Sequence, residues 1–152
     1  MGGYGGASGK VKDNCYRDSD GNKVKDKNAI IAAEYYLSWG MSVVFLQEKP
    51  KEGGRPDLLV DYEFMAEVKG IGSIKVGTIS KQIKHASEQI ESEYSRQPED
   101  KRLPAKIVII SFHETFEVGF NVVLAGYRDA KRKNQVHFQV EFWFNGEIKV
   151  LE

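Results

Sequence analysis

Apolar residues recur at Ile79, Ile83, Ala86 and Ile90, the spacing of one helix face, and predict a helix over 78–95. Near the C-terminus the period shortens to two. Val136, Phe138, Val140, Phe142 and Phe144 alternate, Asn145-Gly146 supplies a turn and residues 148–150 return, so a β-hairpin is expected. On that strand Trp143 falls out of phase with Phe142 and Phe144, on the polar face. β-Branched and aromatic runs predict further strands at 41–47, 56–61, 62–69 and 105–111, the second and third forming a hairpin. A helix over 28–39 starts at an Asn28 or Asp26 cap and ends before Gly40. Another, over 117–131, holds Val118, Val122, Ala125 and Tyr127 only loosely on one face. Residues 48–55 read as a turn, 70–77 as a glycine-punctuated loop and 97–104 as a polar break.

The resulting order is helix, three strands, helix, strand, helix, hairpin. It predicts an α/β domain over 28–152, one mixed sheet with helices packed on it. Residues 1–27 differ. Gly2, Gly3, Gly5, Gly6 and Gly9 crowd the start, and Lys, Asp, Asn and Gly dominate residues 11–27. Such a stretch buries too little apolar area to offset its ordering entropy, and is expected to be a mobile leader or linker.

Composition narrows the function. The chain has 152 residues, 41% hydrophobic and 29% charged, enough for one soluble core. Lys+Arg and Asp+Glu are 22 each, so the net charge is zero. A protein that merely coats nucleic acid carries a basic excess; any nucleic-acid contact here must come from a local positive cluster. The single cysteine, Cys15, cannot form an internal disulfide and is given no catalytic role. No apolar run approaches the roughly 20 residues of a membrane span.

The segment with chemistry in it is Arg55-Pro56-Asp57, then an apolar strand, then a second strand ending Glu67-Val68-Lys69-Gly70. Alternate side chains on a strand share a face, so Glu67 and Lys69 point the same way. If the two strands pair, Asp57 lies beside Glu67 or Lys69. Two carboxylates and one ammonium at one end of a sheet are what phosphodiester hydrolysis needs. The carboxylates suit a hard divalent cation, which acidifies a water, and the lysine orients that water or stabilises the transition state. Mg²⁺ is expected, with Mn²⁺ and Zn²⁺ as alternatives. Glu34, between Ile30 and Leu37 on the helical grid, falls on an apolar stripe, where a carboxylate needs a partner. Either it joins this cluster or the helix buries another face.

"RPDLLV…AEVKG", preceded by a helix bearing Glu34, resembles the PD-(D/E)XK nuclease superfamily over roughly residues 28–90. The resemblance implies a restriction-endonuclease-like core with catalytic Glu34, Asp57, Glu67 and Lys69, the metal held by Asp57 and Glu67. It also implies a polar residue from the following helix, for which Gln82, Lys84, His85 and Gln89 are candidates. The Gln-x-x-x-Tyr spacing of the RecB-like branch is missing, since Ala86 follows Gln82. Small size, a polar leader, and "NAIIAAEYYLSWGMSVVFL" before "RPDLLVD" are similar to the C-terminal toxin domains of contact-dependent growth-inhibition (CdiA) proteins. That similarity implies a nuclease, acting on tRNA in preference to DNA. It implies delivery into the cytoplasm of a neighbouring bacterium as part of a larger secreted protein, and a cognate immunity protein. The rival expectations are an own-cell DNA repair or restriction nuclease, and a non-catalytic binding module on the same fold.

Arg55, Lys81, Lys84 and His85, with Lys75, are candidates for a phosphate-binding rim, weighed against a plain solvated helix face. The basic run Lys131-Arg132-Lys133 fits a charged turn better than a backbone contact. Tyr35, Tyr36, Trp39 and Trp143 are aromatic enough to stack on unpaired bases, although packing explains most of them. His85, His113 and His137 show no spacing for a two-histidine ribonuclease. Gly70-x-Gly72 lacks the spacing of a dinucleotide fingerprint.

Overall fold

Two successive β-α-β crossovers organise the chain. β3 (Phe64–Ile71), α2 (Val76–Ser95) and β4 (Ala105–Ser111) form one, and β4, α3 (Phe116–Arg132) and β5 (Gln139–Phe144) the next. Both strand pairs are parallel and the sheet grows in one direction. Crossovers of one hand that step the same way put their helices on the same face. α2 and α3 accordingly share a core with Ile71, Ile107, Ile109, Val140 and Phe142. The computed structural model describes residues 16–152, and Cys15 with the glycine-rich start lies outside the described residues.

Ahead of the crossovers, α1 (Lys27–Ser38) leads into an antiparallel meander of β1 (Val43–Phe45), β2 (Leu58–Val60) and β3. β6 (Glu147–Val150) closes the other side as a hairpin with β5. The sheet is mixed and six-stranded, in the order β1-β2-β3-β4-β5-β6. α1 covers the face opposite α2 and α3, over Leu58, Ala66, Val68, Val108 and Trp143. The α/β architecture with a mixed sheet and a C-terminal hairpin is therefore as the sequence predicts. The hairpin turn is also as expected, with Asn145 and Gly146 both at positive φ (49° and 82°).

Three expectations are corrected. The polar segment from Tyr16 to Asp26 packs on the domain. Tyr16 is buried, its ring 5.4 Å from Phe45, and bridges join Arg17 to Lys23 and Asp18 to Phe45. Trp143 is not on a polar face but 4% exposed, between Tyr35 and Tyr36 of α1, because both faces of the sheet are covered. α3 buries Gly119, Val123, Gly126, Tyr127 and Ala130, and Val118 is exposed. Glycines make that row inconspicuous in sequence. They are there because α3 lies close to its neighbours: a Cβ on Gly126 would stand 2.5 Å from Ile79 Cγ2, and one on Gly119 2.5 Å from Ser111 Oγ.

Candidate active site

The β2–β3 register decides what meets what. Leu58 pairs with Ala66, so Asp57 sits one step beyond, level with Glu67. Asp57 Oδ2 accepts a hydrogen bond from Val68 N–H at 2.8 Å. Ala66 and Val68 face α1, so Glu67 and Lys69 face α2. A one-residue slip would send both into the α1 core. Lys69 Nζ lies 3.1 Å from Glu67 Oε2 and donates to Gln89 Oε1 of α2 at 2.9 Å. Together with Asp26, Asn28, Arg55 and Gln82 these side chains line a cleft of about 370 Å³.

The carboxyls are under electrostatic load. Burial drives Asp57 well above the usual carboxyl range, the Glu67 charge adds to it, and the Val68 N–H opposes it. Burial also raises Glu67, against the pull of the Lys69 ammonium. Asp26 pushes both upward. Left alone, such a pair retains a proton at pH values where separate carboxyls have lost theirs. Glu67 is 2% exposed, and its Oε1 meets no N–H or hydroxyl donor among the described residues, although the neighbouring Asp57 carboxyl can share a proton with Glu67. A buried carboxylate oxygen without such a donor, beside a second carboxylate, fits a hard divalent cation. Asp57 and Glu67 would hold it. No cluster of three or more His, Cys, Asp or Glu suited to a metal occurs among the described residues, so waters would fill much of its shell, as around Mg²⁺.

Asp57, Glu67 and Lys69 thus converge as the sequence predicts. Glu34 does not line the cleft. α1 buries Ala29, Ala32, Ala33 and Tyr36, while Glu34 is exposed and accepts from the Tyr16 hydroxyl at 2.9 Å. The apolar-stripe expectation fails because the small residues, not Ile30 and Leu37, press deepest against the sheet. In the cleft the α1 region offers Asp26 instead, whose Oδ1 caps the helix by accepting from Asn28 and Ala29 N–H. Sequence reasoning assigns Asp26 a capping role only; an acidic cap on the helix preceding the motif is the available signal.

The expected phosphate rim divides. Arg55 lines the cleft, but its Nε is 3.2 Å from buried Glu93. Lys75, Lys81, Lys84 and His85 are exposed and do not line it. His85 lies three residues after Gln82 and four before Gln89, on the same side of α2, but remains outside the cleft lining. Arg132 and Lys133 pair with Asp129, and Lys131 donates to the Tyr127 hydroxyl, so the basic run is engaged within its own helix. His113 bridges Ser111 and the Ser73 carbonyl, and His137 contacts Glu91, so neither enters the cleft. Gln89 emerges as the α2 residue in contact with the cluster. No helix is long and apolar enough to cross a membrane, among the described residues. No family model, curated protein or solved structure matches the chain.

Proposed function

We propose that this chain is a metal-dependent endonuclease with a PD-(D/E)XK-type core, cutting phosphodiester bonds in RNA, with tRNA as the preferred substrate. The observation that carries the proposal is the meeting of Asp57, Glu67 and Lys69 at one end of the sheet, with a buried Glu67 oxygen that meets no N–H or hydroxyl donor among the described residues. Asp57 and Glu67 would hold a divalent cation such as Mg²⁺. When bound, that cation supplies Lewis-acid chemistry toward the phosphate and lowers the pKa of water.

The chain's own groups do the rest. Lys69, fixed between Glu67 and Gln89, presents its ammonium to the charge that develops on the phosphate. Asp26 adds negative charge at the cleft wall, favouring a cation there over a bare carboxylate pair. The toxin assignment, with delivery into a neighbouring cell and a cognate immunity protein, rests on the sequence resemblance. Its test is growth arrest on expression and rescue by a neighbouring reading frame.

The direct assay incubates purified protein with total bacterial tRNA, and separately with plasmid DNA, with and without Mg²⁺, beside Glu67→Ala. Discrete tRNA fragments from wild type alone are expected. Cut plasmid and intact tRNA would move the substrate to DNA. A second reading, a non-catalytic binding module, draws on the Lys69–Glu67 ion pair, which already gives Glu67 a partner without a metal. Absence of cleavage of either substrate by folded protein across several divalent metals would favour it.

A further inference from the structure

Beside the cleft lies a second cavity of about 420 Å³, with Ile31 and Tyr35 of α1 on one side, Phe112 and Trp143 on the sheet side, and Asn145 and Gly146 at its rim. No charged side chain among the described residues lines it. Ile31 and Phe112 are 42% and 56% exposed, an unusual exposure for two large apolar side chains on one small surface.

The cavity and the cleft follow one another along α1. Asn28, Ile31 and Tyr35 follow one row of α1, so the row that starts in the cleft at Asn28 continues into the apolar cavity. Across from it, Gly70 directly follows Lys69. A Cβ on Gly70 would stand 2.5 Å from Asn28 Oδ1 and 2.6 Å from Phe112 Cε2. With any larger residue there, the ends of the Asn28 and Phe112 side chains would have to move aside. Gly70, Asn28 and Phe112 thus meet at the junction between charged cleft and neutral cavity.

We infer that this cavity is a stacking subsite for one unpaired nucleobase of the substrate strand, with Phe112 as the platform, and this rests on the nuclease reading of the cleft. A nucleotide whose phosphate sits in the cleft and whose base is directed along the Asn28–Ile31–Tyr35 row would carry that base toward the cavity. An uncharged cavity suits that base and not the phosphate. Aromatic and aliphatic walls supply a stacking face, and Asn145 lies at the rim beside the Gly146 carbonyl, which accepts from the Tyr35 hydroxyl. Such a subsite takes a base out of the duplex, so the substrate class is single-stranded or looped RNA. The enzyme would cut next to the base it holds.

The test is binding of a short single-stranded oligoribonucleotide to Lys69→Ala protein in Mg²⁺, so that the strand is held and not cut. A fluorescent purine analogue is placed at each position in turn. One position is expected to lose emission on binding. Adding Phe112→Ala should abolish that quenching and weaken binding about tenfold, within the range of one base–aromatic stack. Phe112→Tyr should retain both, and Val118→Ala, exposed on another helix, should change neither. An oligonucleotide abasic at the quenched position should bind both proteins alike. Equal binding and quenching with and without Phe112, while wild type still cleaves, would overturn the subsite and leave the nuclease standing. Neither binding nor cleavage by wild type would overturn both.

Discussion

Lys69 Nζ lies 2.9 Å from the side-chain oxygen of Gln89, a contact that ties the end of β3 to the middle of α2. The Gln89 amide neither gives nor takes a proton near neutral pH. Its part is to hold the ammonium. On the nuclease reading proposed above, Gln89→Ala is expected to lower kcat about tenfold with KM little changed, the signature of an interaction that matters in the transition state. Gln89→Glu, which keeps an acceptor, should recover most of the loss. Equal kcat in Gln89→Ala and wild type would remove Gln89 from the site.

Asp57 makes a prediction about pH. Burial and the Glu67 charge raise its folded-state pKa above the ordinary value. The folded chain then binds a proton that the unfolded chain has released. Stability in chelator should be full below the ordinary carboxyl pKa and decline as pH rises through the raised one. Asp57→Asn should flatten that decline. At neutral pH in chelator it should also gain about 1 kcal/mol, and, if Asp57 holds Mg²⁺ as proposed, it should lose any stabilisation that Mg²⁺ confers on wild type. Thermal melts of both proteins across pH, with and without Mg²⁺, check this; parallel curves would contradict it.

Buried Glu93 gathers Arg55, Arg96 and Gln97, and Arg96 also donates to the carbonyls of Glu52 and Gly54. This cluster pins the loop before Asp57 to the end of α2. The arginines are partly exposed, so water recovers some of the loss when Glu93 is removed. Glu93→Ala is still expected to cost about 2 kcal/mol, seen as a Tm fall of about 6 °C. Glu93→Gln should cost about half as much. A Tm unchanged by Glu93→Ala would show the cluster to be decorative.

Gly126 sits where α3 crosses α2. Its replacement by alanine puts a methyl 2.5 Å from Ile79 Cγ2 and 3.3 Å from Ser80 N. Overpacking should outweigh the better helix propensity, for a net loss of about 1–2 kcal/mol by denaturant unfolding. A stabilised Gly126→Ala protein would mean that the helices part at no cost.

Part of this site is plain in the sequence. Glu67 and Lys69 share a face because strand geometry demands it, and a hairpin between 56–61 and 62–69 brings Asp57 to them. The α2 stripe is legible because it is written in isoleucines. The contact face of α1 is not, because it is written in alanines, whose small size, and not their hydrophobicity, fits them to the sheet. Composition likewise hides Tyr16. One buried ring anchors a stretch of polar residues, and no average over the stretch would show it. Asp26 needs the third dimension, since nothing local says that a helix cap lines one cleft with two carboxylates, one beyond β1 and the other within β3.

The sheet's spatial order is its sequence order. Each strand, as it arrives, adds to an edge already formed, and none has to be inserted between two that are paired. Hairpins and single-helix crossovers keep partners near in sequence, so the loop-closure entropy of each step is small. A chain threaded out of a narrow passage from its N-terminus could assemble as it emerges, with Asp57, Glu67 and Lys69 in register before β5 and β6 are free. Stopped-flow refolding of a Trp39→Phe variant, in which emission reports Trp143 alone, beside pulsed hydrogen exchange at the β2–β3 amides, should then show β5 joining after the β2–β3 hairpin has formed; simultaneous appearance of both would argue for one concerted step.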